Sequence, residues 1–287
     1  MTASTIAAPA APRGHAHTAR GYARTFGALL ARDLRVMRRG LLSFVARTVL
    51  QPVLFIFVFA VVLPAIGYGA GGPAPGGQTE TFATILVPGL VASGIVLQGI
   101  FAVTTPLVME LSYTREIDDR ALAPIPVWAV GVEKIVAGAV QGVVAAVVVF
   151  LAVLFVHGPG QAPDLDFGRW PLLVAVLVLS SLLTACLGLL IGTVLPPQQL
   201  STLFAIFIVP LMMLGCVYYP WDALDALPWL QITVLANPLV YVSEALRGAL
   251  SPGVPHMSEV VALAVLVVGT LVTGALSLWS FTRRLVA

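Results

Sequence analysis

The chain has 287 residues, of which 59% are hydrophobic and 10% charged, with a mean hydropathy of +1.00 and a formal net charge of +2. Soluble domains carry about 25% charged residues, whereas here charge is absent from 48–79, 81–109, 135–163, 170–221 and 260–282, runs long enough for the roughly 20 apolar residues of a bilayer crossing. A soluble enzyme, a disordered chain and a secreted disulfide scaffold are poor readings, and without strict two-residue alternation the fold class is an all-α polytopic membrane protein.

Residues 1–20 are rich in Ala, Pro and Thr and lack an apolar h-region, which predicts a disordered cytoplasmic tail rather than a cleaved signal peptide. Residues 21–44 follow as an interfacial amphipathic helix. At about 100° per residue, Arg24, Arg32, Arg35, Arg38 and Arg39 gather on one side and Phe26, Leu29, Leu30, Leu34 and Val36 on the other. Asp33 falls within the apolar side, where an unpaired carboxylate is costly. It is predicted to meet a cation, with Arg47 or a partner's side chain as the candidates.

Residues 45–287 form the transmembrane domain, with spans at about 48–66, 83–108, 131–156, 171–195, 199–219 and 259–281. Pro196-Pro197-Gln198-Gln199 interrupts the longest charge-free run and divides it into two spans. Between spans two and three, residues 107–134 hold Glu110, Arg115, Glu116, Asp118, Asp119, Arg120, Glu133 and Lys134, with Pro124 and Pro126 stopping any helix. Topology alone would favour Lys and Arg there, so the mixed signs suit docking to a partner surface. Between spans five and six, 221–235 and 238–250 are two helical stretches too short to cross, parted by Asn237-Pro238. They are expected to form an outer re-entrant pair, with Tyr218, Tyr219, Trp221 and Trp229 at the headgroup level.

With the N-terminus inside, thirteen Lys and Arg fall on cytoplasmic segments and two, Arg169 and Arg247, outside. Both termini are therefore expected in the cytoplasm and the chain in the plasma (inner) membrane. Within the spans, Gln98, Gln141, Ser180 and Thr184 are candidates for a substrate path, although such residues more often serve helix packing. Gly138-x-x-x-Gly142 and Gly188-x-x-x-Gly192 permit close helix approach. Cys186 and Cys216 read as apolar packing residues. No charge sits at the centre of a span, which counts against an ion-coupled secondary transporter, the alternative function, and favours amphipathic cargo. No phosphate-binding G-x-x-x-x-G-K-[ST] motif occurs, and the four histidines show no metal or catalytic spacing. Catalytic, metal and cofactor residues are thus expected to be absent, and no nucleic-acid partner is expected.

The stretch REIDDRALAPIPVWAVGVEKIVAGAVQG (115–142) and the run Ala236-Asn237-Pro238-Leu239-Val240-Tyr241, followed by Glu244 and Arg247, are similar to segments of ABC-2-type transporter permeases. These are the membrane subunits of ABC exporters, including daunorubicin-resistance-type and polysaccharide or glycolipid export permeases. The layout from about residue 22 resembles theirs as well. The resemblance implies a permease subunit that exports an amphipathic drug, lipid or glycolipid-type molecule and is not itself an enzyme. ATP and Mg would be bound by a separate ABC ATPase, present in two copies. Residues 110–122 would form the coupling helix, making Glu110, Arg115, Glu116, Asp118, Asp119 and Arg120, with Asp33 beside them, the ATPase-coupling residues. Asn237, Pro238, Tyr241 and Glu244 would belong to the outer re-entrant segment. One chain of six helices is expected to leave little room for an enclosed path, so a homodimer embedded in membrane lipid is anticipated.

Overall fold

The computed structural model describes residues 19–62, 66, 82–114, 126–156 and 162–286. The tail through residue 18, the predicted coupling residues Arg115, Glu116, Asp118, Asp119 and Arg120, the last part of the first predicted span and the side chain of Arg47 lie outside the described residues. All regular structure among the described residues is helical.

Helix α1 (Ala19–Arg39) ends at Gly40, and α2 (Leu41–Phe57) leaves it at 72° before running into a wide π turn, Val58–Val62. The long helices α3 (Phe82–Met109), α4 (Val127–Leu154) and α5 (Trp170–Val194) follow. Next comes a broken run made of Pro197–Gln199, α6 (Leu200–Leu203), a π turn at Phe204–Ile208 and α7 (Val209–Met213). Among the described residues, four helices are long and apolar enough to cross a membrane, and five if the bent α1–α2 pair counts as one span. The run expected as a fifth span over 199–219 is fragmented and stops being helical at Met213.

Helix α3 is the axis of the bundle. Its most apolar stretch is 83% buried, against 17% for the last helix, α10 (Glu259–Val286). Helices α4 and α5 pack along α3, and α10 packs on the outside of α5. Glycine makes that packing close. A Cβ at Gly188 of α5 would stand 2.7 Å from the backbone oxygen of Ile100, and one at Gly138 of α4 would stand 2.3 Å from Val103 Cγ2. Both small-x-x-x-small pairs read from the sequence therefore lie at real helix contacts, where absent side chains let backbones approach. The tightest case is Gly89, whose added Cβ would fall 1.9 Å from Val217 O. Because a backbone carbonyl cannot move aside like a side chain, Gly89→Ala is expected to destabilise the fold by at least about 1–3 kcal/mol. A thermal melt in detergent reads this directly, and a midpoint matching the parent chain would show that the segment around Val217 is free to shift.

The segment between the broken run and α10 is built from short pieces. Trp221–Ala226 is a 3-10 turn, α8 spans Pro228–Thr233, another 3-10 turn covers Val234–Ala236, and α9 runs over Pro238–Leu250. The first expected half-helix, 221–235, is thus three fragments, because Leu227 departs from helical geometry just ahead of Pro228. The second starts as expected, with Asn237 as its N-cap accepting the Leu239 N–H at 2.9 Å. Its body is almost entirely buried and packs against α3, α10 and α5. At the far end of α10, Arg283 lies over the Trp279 ring, 5.3 Å from its centroid.

Candidate functional site: a chamber with a charged end

Helix α4 starts at Val127, four residues earlier than expected, because Pro126 is extended and caps it. Glu133 and Lys134, counted from the sequence among the loop charges although the expected span already included them, lie inside α4, and both are buried. Lys134 stands in the chamber wall with Asp33 of α1. Its ammonium donates to Asp33 Oδ2 at 3.1 Å and to Glu110 Oε1 at 2.9 Å, joining α4, α1 and the π turn that continues α3, Glu110–Thr114. Asp33 does meet a cation, Lys134 of this chain, while the side chain of the other candidate, Arg47, lies outside the described residues.

These charges close one end of a half-open chamber of about 750 Å³ bounded by α1, α2, α3, α4 and the broken run. Farther in, the wall carries neutral hydrogen-bonding groups on Thr48, Gln51, Gln98 and Gln141. Thr48 Oγ1 donates to Gln98 Oε1 at 3.4 Å, tying α2 to α3. The remaining surface is mostly apolar, with Leu97, Phe101, Ile208 and Met212 prominent. Pro52 and Pro106, each of which removes a helix N–H, also face it. Within one chain this space is half-open and not an enclosed path. The bent α1–α2 pair and the end of the π turn at Ile208 both contribute to its wall.

Of the candidate path residues, Gln98 and Gln141 line the chamber, while Ser180 and Thr184 are not part of its wall. Thr184 Oγ1 donates to Ser180 O at 2.9 Å within α5 and packs against Gly99, where a Cβ would come within 2.1 Å. Ser180 is fully buried in the same helix. Asp33 and Glu110 come together at the charged end. Among the outer candidates, Pro238 opens α9. Asn237 Nδ2 donates to Leu211 O at 2.7 Å and Tyr241 OH to Leu235 O at 2.9 Å.

Glu244 lies apart from the chamber and is fully buried with Arg247, which donates to its Oε1. Glu244 Oε1 also accepts the Trp221 N–H at 2.9 Å and Oε2 the Met257 N–H at 2.8 Å. Arg247 Nη2 donates to Cys216 O at 3.1 Å. One buried pair thus ties together the end of the broken run, the first 3-10 turn, α9 and the lead-in to α10.

Sequence reasoning overlooked Lys134, Thr48 and Arg247 as site or framework residues. Lys134 carried a signal, being the sole lysine in the chain and standing at the border of a charge-free run.

Residues 24–251 match the family model described as ABC-2 type transporter. The chain belongs to the ABC-2 type transporter family. Members are the transmembrane component of ABC transporters, lack the ATPase site and normally partner with an ABC ATPase. The match runs from within α1 through α9 and leaves α10 outside, so every residue lining the chamber lies within the matched region. Neither a curated relative nor a solved structure gives a significant match.

Proposed function

We propose that this ABC-2 permease is the membrane subunit of an ATP-driven exporter that moves an amphipathic drug, lipid or glycolipid-type molecule outward across the plasma membrane. The observation that carries this reading is the zoning of the chamber. Charges stand at one end, a belt of Gln98, Gln51 and Gln141 amides follows, and apolar surface makes up most of the rest. Its volume lies in the range of sites for drug-sized ligands, which are mostly apolar with a few placed polar groups.

In this reading the chain crosses the membrane six times with both termini in the cytoplasm. The broken run serves as the fifth crossing, and α1 lies along the inner interface. Two permease copies pair, and two separate ATPase subunits bind ATP and Mg. ATP-driven closure of those subunits pulls on α1 and on the loop holding Glu110, Arg115, Glu116, Asp118, Asp119 and Arg120. The population then shifts from an inward- to an outward-open chamber. The short outer helices around Asn237, Pro238, Tyr241 and Glu244 cap the exit.

Co-purification of the cognate ATPase, followed by ATP hydrolysis in liposomes with and without extracted amphiphiles, tests this directly. Asp118→Lys combined with Asp119→Lys is expected to lower ATPase association and cargo-stimulated hydrolysis by about tenfold, while membrane insertion is unchanged, because like charges then face a surface shaped for carboxylates. Full coupling in that variant removes the loop from the mechanism. Pumping by the permease alone, with no ATPase present, defeats the whole reading.

A further inference from the structure

The charged end of the chamber joins three elements through one side chain. Lys134 of α4 reaches Asp33 of α1 and Glu110 at the end of α3, and its own side chain is 4% accessible against 17% and 13% for the two acids. Charge-assisted hydrogen bonds of this kind are about twice as strong as neutral ones and depend steeply on distance in a poorly solvated setting. The joint therefore favours two discrete positions, engaged or released, over gradual stretching.

A second observation is where α1 sits. Over 24–39 no described side chain is buried. Leu29 reaches the inner apolar cluster around Leu107 and Phe281, and the helix turns into α2 at Gly40 through the 72° bend. Yet α1 is also a wall of the chamber, contributing Arg32, Asp33, Val36 and Met37. Moving α1 away unlatches that wall.

We propose that Asp33, Lys134 and Glu110 form a latch on the chamber. Engaged, it holds α1 against α3 and α4 and closes one side of the cavity. Released, it lets α1 swing about Gly40 and opens that side. Chamber opening and docking of a partner on α1 are then linked equilibria, each changing the other by the same factor. The role of Lys134 is positional, since it fixes α1 and contacts no transported molecule in this account. The meaning of the latch rests on the chamber being the cargo path, but its test needs neither cargo nor ATPase.

The test places a cysteine at Ala102, on the chamber wall, in the full-length chain in inside-out vesicles. Its rate of reaction with a membrane-impermeant maleimide is then followed. The native Cys186 and Cys216 are 3% and 0% exposed, so the chain without the new cysteine supplies the background. With Lys134 present, labelling is expected to be slow. Lys134→Met or Asp33→Asn should raise the rate by about tenfold, the factor set by about 1.4 kcal/mol of lost closure. Lys134→Arg should return it to the slow rate, because its fork still spans both carboxylates. If Lys134→Met does not insert, Asp33→Asn and Glu110→Gln carry the comparison with little change of shape. Equal rates in the charge-removed and parent backgrounds overturn the latch. Equal rates together with intact cargo-driven ATP hydrolysis discard the latch alone. Faster labelling in the charge-removed variants, together with failure of any ABC ATPase to bind the parent chain or support transport through it, keeps the latch and discards the exporter reading.

Discussion

Arg247→Ala is expected to remove most of the folded permease from the membrane. Arg247 and Glu244 are both 0% exposed and face each other within α9. Removing the guanidinium strands a carboxylate away from water and also releases Cys216 O. Breaking a buried ion pair in this one-sided way costs about 3–5 kcal/mol, a large share of the roughly 5–15 kcal/mol that stabilises a typical domain. Arg247→Lys keeps the charge but loses the fork that serves Glu244 and Cys216 together, so it should fall between the parent and the alanine variant. Glu244→Gln should be milder than Arg247→Ala, since an amide oxygen can still accept one of the Trp221 and Met257 N–H groups. Melting followed by size-exclusion fluorescence measures all three. An Arg247→Ala midpoint within about 2 °C of the parent, well below the shift expected from several kcal/mol, would mean that water reaches the pair.

Ala102→Trp is expected to abolish transport while leaving a folded protein. Ala102 is half-buried on the wall of the chamber, so an indole there projects into open space instead of into packed neighbours. The side chain would occupy volume between Phe101 and the Gln98 belt. Transport should fall by more than about tenfold, with binding of the ATPase and its basal hydrolysis preserved, as expected when a ligand site is filled rather than a core disrupted. Uptake into inside-out vesicles, paired with ATPase co-purification, separates the two effects. Unchanged uptake would place the cargo path elsewhere, at an interface between two copies.

Much of the bundle was legible because absence of charge is a coarse but strong signal. The second, fourth and sixth expected spans begin within a residue of α3, α5 and α10. The end of the outer segment was legible for a different reason. Asn237-Pro238 combines an N-cap with a first-turn proline, and α9 starts there. The start of α4 was misplaced because Pro124 and Pro126 were read only as stopping the preceding helix. Proline also opens helices, and Pro126 does so here. Asp33 was conspicuous by its position on an apolar helix face, but its partner lies 101 residues away, beyond the reach of any local periodicity. The chamber was the least legible feature of all. The bent α1–α2 pair and the end of the π turn at Ile208 contribute to its wall, and neither distortion leaves a mark in hydropathy.

Helix α10 has 28 residues and is by far the least enclosed of the long helices. Its charge-free stretch, 260–282, measures about 35 Å at about 1.5 Å per residue, somewhat longer than a hydrocarbon slab of about 30 Å. The end bearing Trp279 and Arg283 carries an aromatic ring and a cation that favour the headgroup zone, which pins one terminus and leaves the surplus length to be absorbed by tilt. With most of its surface outside the bundle, α10 should lean further in thin bilayers and stand straighter in thick ones. Since α10 packs on α5, acyl-chain length becomes an input that the lipid supplies to the bundle from its periphery.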